Sequence, residues 1–459
     1  MPKTTLETDA SVHRPPPEAT AGVADAGSPP QEPASPETTG AVYEPLLYVH
    51  VIVVAAITGL VLLLWLIAFY AGLKLLWEND FVSAHRWMFP VICLPFSLLV
   101  GFLVKYLKAP TAMSESLTDS LAGDTSRVEW RRFPVSVAQS LASLFSGAAL
   151  GPEGGLGLLA SQIAAGYARL LRIPPARRPK LIYASVASAY NGLLQNPLFA
   201  GVLGTELAQT HEAGLASLPA NLIGGAVGYG VFLLVGVPSL AGILGLEPIE
   251  HIRPFDALLI VLMALIGVVL AVVAGVFFKV AEKVFGRIKD EVARALVAGV
   301  IFSIAGVIAP VVMFSGESQM QSLVDDPAHY GVGLLLLMAL LKLALLAVGF
   351  RSGFLGGAIF PTIFALVAVG LAFDLLLPEA EPTILVAGLM VGFMVVMFRT
   401  PFMVILLVAF MLEANTDLLA LIVLALAVVL IVNPLLQRLI ASRRARTPAA
   451  DSRSADSAR

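Results

Sequence analysis

A single carboxylate interrupts an otherwise uncharged stretch, SGAALGPEGGLGLLASQI, between Ser146 and Ile163. The acid, Glu153, follows Pro152 and precedes Gly154 and Gly155. Glycines let the backbone approach a ligand closely, and proline is tolerated in the first turn of a helix. The uncharged run after Glu153 therefore predicts a helix whose N-terminus, a site that attracts anions, points into the protein.

Composition places this stretch in a membrane protein. The chain is 58% hydrophobic and 13% charged, whereas about a quarter of the residues in a soluble domain are charged. Long apolar runs predict helices, because barrel strands are short and alternate in hydrophobicity. The net charge of -3 gives no reason to expect a nucleic-acid partner, and the single cysteine, Cys93, excludes an intramolecular disulfide.

The chain divides by composition into three parts. Residues 1–44 are rich in Pro, Ala, Thr and Ser and predict a disordered tail. Residues 45–440 carry the apolar runs, and residues 441–459 form a basic tail that we also expect to be disordered. Because the loop ARLLRIPPARRPK is basic too, the positive-inside rule places this loop and both termini in the cytoplasm, with the protein in the cell membrane. The polar linker Phe314 to Gly331 predicts a position at a membrane surface.

A second interrupted segment, SGFLGGAIFP from Ser352 to Pro361, corresponds to the first. Each break is followed by a proline-containing turn, an apolar run and a glutamate, in Gln195–Leu207 and in Phe398–Glu413. Paired breaks of this kind are typical of inverted-repeat transporters whose site lies at the midplane. We therefore predict an all-α polytopic fold with tilted, broken and half-length helices. Its two inverted repeats should span about residues 85–246 and 255–440.

Four motifs then resemble the CLC family of chloride channels and proton-coupled chloride transporters. GPEGG resembles the family's G-(K/R)-E-G-P, and KLALLAVGFRSGFLGGAIFP resembles its segment ending G-S-G-x-x-G-G-x-F-x-P. NPLFAGVLGTE resembles N-A-P-L-A-G-x-x-F-x-x-E-E, and FRTPFMVILL resembles R-A-P-x-T-G-I. The order holds from about Trp130 to Leu436. The resemblance implies a CLC-type fold and a homodimer in which each subunit has its own pathway.

The resemblance also implies roles for individual residues. Glu153 stands at the family's gating glutamate and would act as gate and proton carrier. Glu206 stands near the internal proton glutamate, although it could instead be a helix-end charge. Anions would be held by helix N-termini and backbone N–H groups of the two breaks, at Gly151, Gly154, Gly155, Gly356, Gly357, Ala358, Ile359 and Pro361. The glycine pair of the second break could alternatively be a close packing contact between helices.

The sequence departs from the family pattern at the inner gate. Pro152 replaces the basic residue before the glutamate, and the G-S-G-I-P segment is replaced by APTAMSESL, in which Ser114 is nearest to the gate serine. The central tyrosine falls at about Leu436, and Glu206 is one or two positions early. We therefore expect an intact outer gate and an altered inner gate.

Three classes of function remain. The first is a pathway for chloride or other small anions, fluoride and nitrate included, as a channel or a proton-coupled exchanger. The second is a transporter of another substrate on an inverted-repeat fold. The third, an intramembrane enzyme, is disfavoured because Ser315 has no recognisable His or Lys partner. His211-Glu212 lacks the second histidine of a zinc motif, so neither a metal nor a cofactor is expected.

Overall fold

The protein is described by a computed structural model that covers residues 45–111, 128–196, 198–207, 211–236, 242–249 and 251–446. The predicted tail at residues 1–44 lies outside these ranges. The described residues form these α-helices: α1 Pro45–Leu76, α2 Asp80–Ala84, α3 Met88–Leu107, α4 Phe133–Phe145, α5 Glu153–Leu170, α6 Arg178–Leu194, α7 Phe199–Leu207, α8 His211–Val235, α9 Pro254–Phe285, α10 Glu291–Ile308, α11 Glu317–Asp325, α12 Pro327–Ser352, α13 Ile359–Asp374, α14 Pro382–Phe398, α15 Pro401–Met411 and α16 Thr416–Arg446.

Seven helices are long and apolar enough to cross a membrane: α1, α3, most of α8, α9, α10, α12 and the first part of α16. The helices α13, α14 and α15 are apolar but shorter. The prediction of an all-α polytopic membrane protein with half-length helices is therefore confirmed. The helix α16 continues to Arg446 and so includes residues 441–446, the start of the expected C-terminal tail.

Local sequence explains where the interrupted helices end. The helix α6 ends at Leu194, and Gln195 then adopts a left-handed conformation with φ 52°. The side chain of Asn196 accepts hydrogen bonds from the N–H groups of Leu198 and Phe199, at 3.0 and 3.2 Å, and so caps α7. The predicted break in this stretch therefore separates two helices.

Several helices of the first half correspond in order and in length to helices of the second half. Both α1 and α9 have 32 residues, both α6 and α14 have 17, and the two helices that follow the breaks, α5 and α13, have 18 and 16. The packing corresponds as well, since α6 packs against α1 and α8 as α14 packs against α9 and α16. The equivalent helices α3 and α10 contact each other, as do α7 and α15.

The start of the polar linker packs against the protein interior, where Ser315 and Gly316 are buried. Lys342, in the middle of α12, is fully buried. Its ammonium donates to the carbonyl oxygens of Val312, Met313 and Phe314, at 3.1, 2.8 and 2.8 Å. It also lies 4.6 Å from the centroid of the Phe364 ring. A buried ammonium requires such acceptors, so Lys342 holds this segment against α12 and α13.

Lys342→Met should destabilise the protein by roughly 2–4 kcal/mol, because hydrogen bonds to a charged group contribute about 1.5–3 kcal/mol each and only part of that loss is recovered by relaxation. The measurement is thermal unfolding of the detergent-solubilised protein, followed by tryptophan fluorescence. Lys279→Met, which removes an exposed lysine on α9, is the matched control. Equal unfolding midpoints for the two variants would show that the three carbonyls do not depend on Lys342.

Candidate functional site

The two predicted breaks meet in the structure. The N–H of Gly151 donates to the carbonyl of Gly357 at 3.0 Å, and the N–H of Gly357 donates to the carbonyl of Gly151 at 2.7 Å. This reciprocal pair joins the segment before α5 to the segment before α13. The helix N-termini that the sequence places in separate halves are therefore brought to one point.

Glu153 is the first residue of α5 and is fully buried. Its Oε1 accepts hydrogen bonds from the N–H groups of Ile359, at 2.6 Å, and Phe360, at 3.4 Å. The first N–H groups of a helix have no partner within the helix, and Pro361, at the third position of α13, has no N–H to offer. The carboxylate therefore occupies the N-terminus of α13. The predicted residue Ala358 is the N-cap of α13, and Phe360 supplies the second N–H to the Glu153 carboxylate.

Two glycines form the walls around this carboxylate. A Cβ atom on Gly151 would lie 1.9 Å from Oε2 of Glu153, and one on Gly357 would lie 2.1 Å from its Cδ. Neither glycine has a positive φ, so space rather than backbone conformation requires a residue without a side chain at both positions. We refer to the space between Gly151, Gly357 and the first turn of α13 as the carboxylate seat.

The other predicted glycines are also at close contacts. A Cβ on Gly154 would lie 2.1 Å from the carbonyl carbon of Gly356, and one on Gly356 would lie 2.6 Å from Cβ of Leu150. A Cβ on Gly155 would lie 2.9 Å from Cβ of Ser140. Gly154 and Gly356 thus let the two breaks approach each other, whereas Gly155 lets α5 pack against α4.

The electrostatics of the seat come from the backbone. Both hydrogen bonds to Oε1 are donated by main-chain N–H groups, and the α13 macrodipole adds partial positive charge at its N-terminus. The second oxygen, Oε2, is buried without a hydrogen-bond partner among the described residues. The carboxylate seat therefore binds a single negative group, here the Glu153 carboxylate, through backbone N–H groups and the helix dipole of α13.

Side chains of α4 support the second break, and the sequence reading missed them. The hydroxyl of Ser143 accepts a hydrogen bond from the N–H of Leu355 at 2.9 Å. The amide of Gln139 donates to the carbonyl of Gly353 at 2.9 Å. Ser136, Gln139, Ser140 and Ser143 are all buried. Their spacing of three and four residues in an apolar helix is the signal that indicates a polar face.

Glu206 binds the N-terminus of another helix of the second half. Its Oε1 accepts from the N–H of Phe402 at 2.9 Å and its Oε2 from the N–H of Met403 at 2.8 Å. Since α15 begins at Pro401, the carboxylate caps both N–H groups that the first turn offers. This contact favours the helix-end role for Glu206. Of the remaining predicted residues, Ser114 lies outside the described residues, and Leu436 lies in α16, where its side chain is not described.

Glu206→Ala should lower the free energy of unfolding by about 1–2 kcal/mol, the usual cost of losing an N-cap. Glu206→Gln should cost less, because the amide keeps one acceptor oxygen. Thermal unfolding in detergent measures both. Glu282→Ala is the control, since its ion pair with Arg351 is exposed and such pairs contribute little. Unchanged stability in Glu206→Ala would rule out the capping role.

The fold defines a multi-pass helical membrane protein of two repeats whose broken helices meet at a buried carboxylate. The family model described as "Voltage gated chloride channel" matches residues 96–433, and the chain belongs to that family. The predicted resemblance to CLC proteins is therefore confirmed.

Relatives of known name match only part of the chain. The "Putative ion-transport protein YfeO" of Escherichia coli (strain SMS-3-5 / SECEC) is 40% identical over 114 residues, which is 25% of this chain and 27% of that protein. The protein of the same name from Escherichia fergusonii matches to the same extent. The chain thus matches about a quarter of the length of these relatives.

Solved structures match most of the chain. A slow cyanobacterial Cl−/H+ antiporter is similar with a TM-score of 0.72 and 17% identity, over 88% of this chain and 99% of that one. A CLC-type fluoride/proton antiporter has a TM-score of 0.65 at 17% identity, over 85% and 95% of the two chains. A eukaryotic CLC transporter is similar with a TM-score of 0.66 and 16% identity, over 84% of this chain and 71% of that one. These similarities confirm the predicted CLC-type fold of two inverted repeats.

Proposed function

We propose that this protein transports chloride or another small anion across the membrane along a pathway that Glu153 gates. The observation that carries the proposal is the carboxylate seat, in which the side chain of Glu153 takes the N–H groups of Ile359 and Phe360. A carboxylate in that position is a tethered anion. A free monovalent anion would meet the same donors and the same helix dipole once the side chain had left.

Binding through dipoles suits transport. An anion beside a fixed lysine or arginine in a low-dielectric site would be held strongly, whereas conduction requires binding weak enough for release. Backbone N–H groups at a helix N-terminus provide such an intermediate attraction. An acid buried inside a membrane protein is also costly to maintain, which favours a functional role for Glu153 over a structural one.

Protonation supplies the step that opens the pathway. An ionised carboxylate accepts hydrogen bonds about twice as strong as those a neutral group accepts. A proton on Glu153 therefore weakens its attachment to α13, the side chain leaves, and an anion enters. The same step serves a channel that acid opens and an exchanger that returns the proton to the other side.

The sequence supports an orientation in the membrane, and the family resemblance supports an assembly. The basic residues after α5 and at the end of α16 place both termini in the cytoplasm of the cell, by the positive-inside rule. The end of the protein where α1 joins α3 would then face outside. The helix correspondence supports a first repeat that begins at α1, earlier than the predicted start near residue 85. The family resemblance supports a homodimer.

The test is anion efflux from proteoliposomes loaded with chloride, with the external pH recorded in the same run. Chloride efflux together with proton uptake supports an exchanger, and efflux without a pH change supports a channel. Vesicles without protein set the background. If chloride does not move, fluoride and nitrate are tested next, since one similar structure is a fluoride/proton antiporter. Failure of all three would contradict anion transport while leaving the fold intact.

A further inference from the structure

A cavity of about 640 Å³ opens at the end of the protein where α1 joins α3. Its wall is formed by the end of α1, the α1–α3 connection and the segment that leads into α11. The charged and titratable side chains that line it are Tyr70, Glu78, Arg86 and Glu317. The proposed function does not use any of them.

Glu317 differs from the other acid of this cavity in its contacts. The hydroxyl of Tyr70 donates a hydrogen bond of 2.8 Å to Oε2 of Glu317. The other oxygen, Oε1, is buried without a hydrogen-bond partner among the described residues. The residue thus borders the cavity on one side and presents an unpaired oxygen to the protein interior on the other. Buried polar atoms of native proteins usually have partners, so an exception calls for an explanation.

The backbone places Glu317 against α13, the helix whose N-terminus binds the Glu153 carboxylate. Gly316, the N-cap of α11, has φ 96°, a conformation that favours glycine. A Cβ atom at Gly316 would lie 2.8 Å from the side chain of Phe364. Phe364 is on α13, whose first turn carries the carboxylate seat. Glu317, the first residue of α11, therefore packs next to the helix whose first turn receives the Glu153 carboxylate.

We propose that Glu317 is a proton relay between this cavity and Glu153. A proton from cavity water binds the Glu317 carboxylate and then passes to the Glu153 carboxylate, which leaves Glu317 ionised again. The Tyr70 hydroxyl holds Oε2 at the cavity, where the carboxylate takes the proton, and rotation of the carboxyl group brings the proton to the buried side, where it is released. The inference rests on the proposed function, because it supplies the proton that opens the gate there.

The other charged groups near Glu317 affect how readily it becomes ionised again after it has passed its proton to Glu153. Burial raises the pKa of Glu317 to about 7, while the hydrogen bond from Tyr70 and the nearby Lys342 favour its ionised form. The guanidinium of Arg86 donates to the carbonyl of Val307 at 3.2 Å and so stays at the far wall. Glu78 lines the same cavity on the α1–α3 connection. It therefore provides a matched control, a carboxylate in the same water without the Tyr70 contact.

The test is the time course of chloride efflux from proteoliposomes after an acid step in the external buffer, which reaches the cavity of outward-facing molecules. In wild type the rate should rise after the step. In Glu317→Gln the rise should be slowed roughly tenfold or more, since a positioned proton-transfer group contributes about 10²–10⁴-fold. Glu317→Asp should partly restore it, and Glu78→Gln should respond like wild type. The acid response of Tyr70→Phe should be slower than that of wild type and faster than that of Glu317→Gln.

The controls separate the inference from the proposed function. Efflux of Glu317→Gln at constant low pH should match wild type, which shows that the variant is folded and the pathway intact. An acid response of Glu317→Gln as fast as that of wild type would overturn the relay. Wild-type efflux with no acid response would overturn it too. A wild type that moves no anion at all would contradict the proposed function itself.

Discussion

Glu153→Gln should give a protein that still moves anions but no longer responds to pH. The amide cannot ionise, so it mimics the protonated gate at every pH and binds the N–H groups of α13 less strongly than a carboxylate does. We expect wild-type anion flux to increase roughly tenfold per pH unit of acidification while Glu153 is mostly ionised, since its protonated fraction changes by that factor. The flux of the variant should stay constant, and any coupled proton movement should be lost.

The measurement is anion efflux from proteoliposomes at several fixed pH values, with proton flux recorded in parallel. Glu206→Gln is the matched control, because Glu206 also takes two N–H groups of a helix N-terminus but lies outside the carboxylate seat. It should keep the wild-type pH response. A Glu153→Gln variant with the same pH response as wild type would show that another group gates the pathway.

Gly357→Ala should reduce anion flux by roughly tenfold or more while leaving the protein folded. The new methyl group would lie 2.1 Å from Cδ of Glu153, so it fills the space that the carboxylate and the anion would share. The clash is with a flexible side chain, and Gly357 has no positive φ, so the backbone need not move. An added methyl group in a packed site costs typically 1–3 kcal/mol, and an anion that meets this cost at the seat binds roughly tenfold or more weakly.

The double variant Gly357→Ala/Glu153→Gln shows whether the added methyl group blocks the anion itself or only keeps the Glu153 side chain from moving. Gly357→Ala should remain inactive when Glu153→Gln is added, because the methyl group blocks the anion itself. Gly275→Ala on α9 is the control for an added methyl group, since nothing lies within 4 Å of a Cβ there. Normal flux in Gly357→Ala would mean that anions do not pass through the seat.

The sequence predicts those parts of the fold that depend on local properties. The length of the apolar runs indicates the membrane helices, and the lone acid in Ser146–Ile163 indicates the first break. The glycine pair of the second break and its resemblance to the first predict the repeats. Each of these signals lies within a short stretch, so one sequence is enough to detect it.

The sequence could not show which groups meet across the two halves. Glu153 and Ile359 are 206 residues apart, and Tyr70 and Glu317 are 247 apart. Their contacts depend on how the helices pack, which leaves no local pattern. Lys342 illustrates the same limit, because the apolar run around it suggests that a charge is out of place but does not identify the carbonyls that bind it. For Glu206, only the position of α15 reveals the capping contact.

We expect a free anion and the Glu153 carboxylate to use the same seat. Anomalous diffraction from crystals of Glu153→Ala grown in bromide tests it directly, because truncation empties the seat without adding bulk. We predict a bromide ion within hydrogen-bond distance of the N–H groups of Ile359 and Phe360, and no such ion in Gly357→Ala. A Glu153→Ala crystal with bromide elsewhere in the protein and none at the start of α13 would contradict the account.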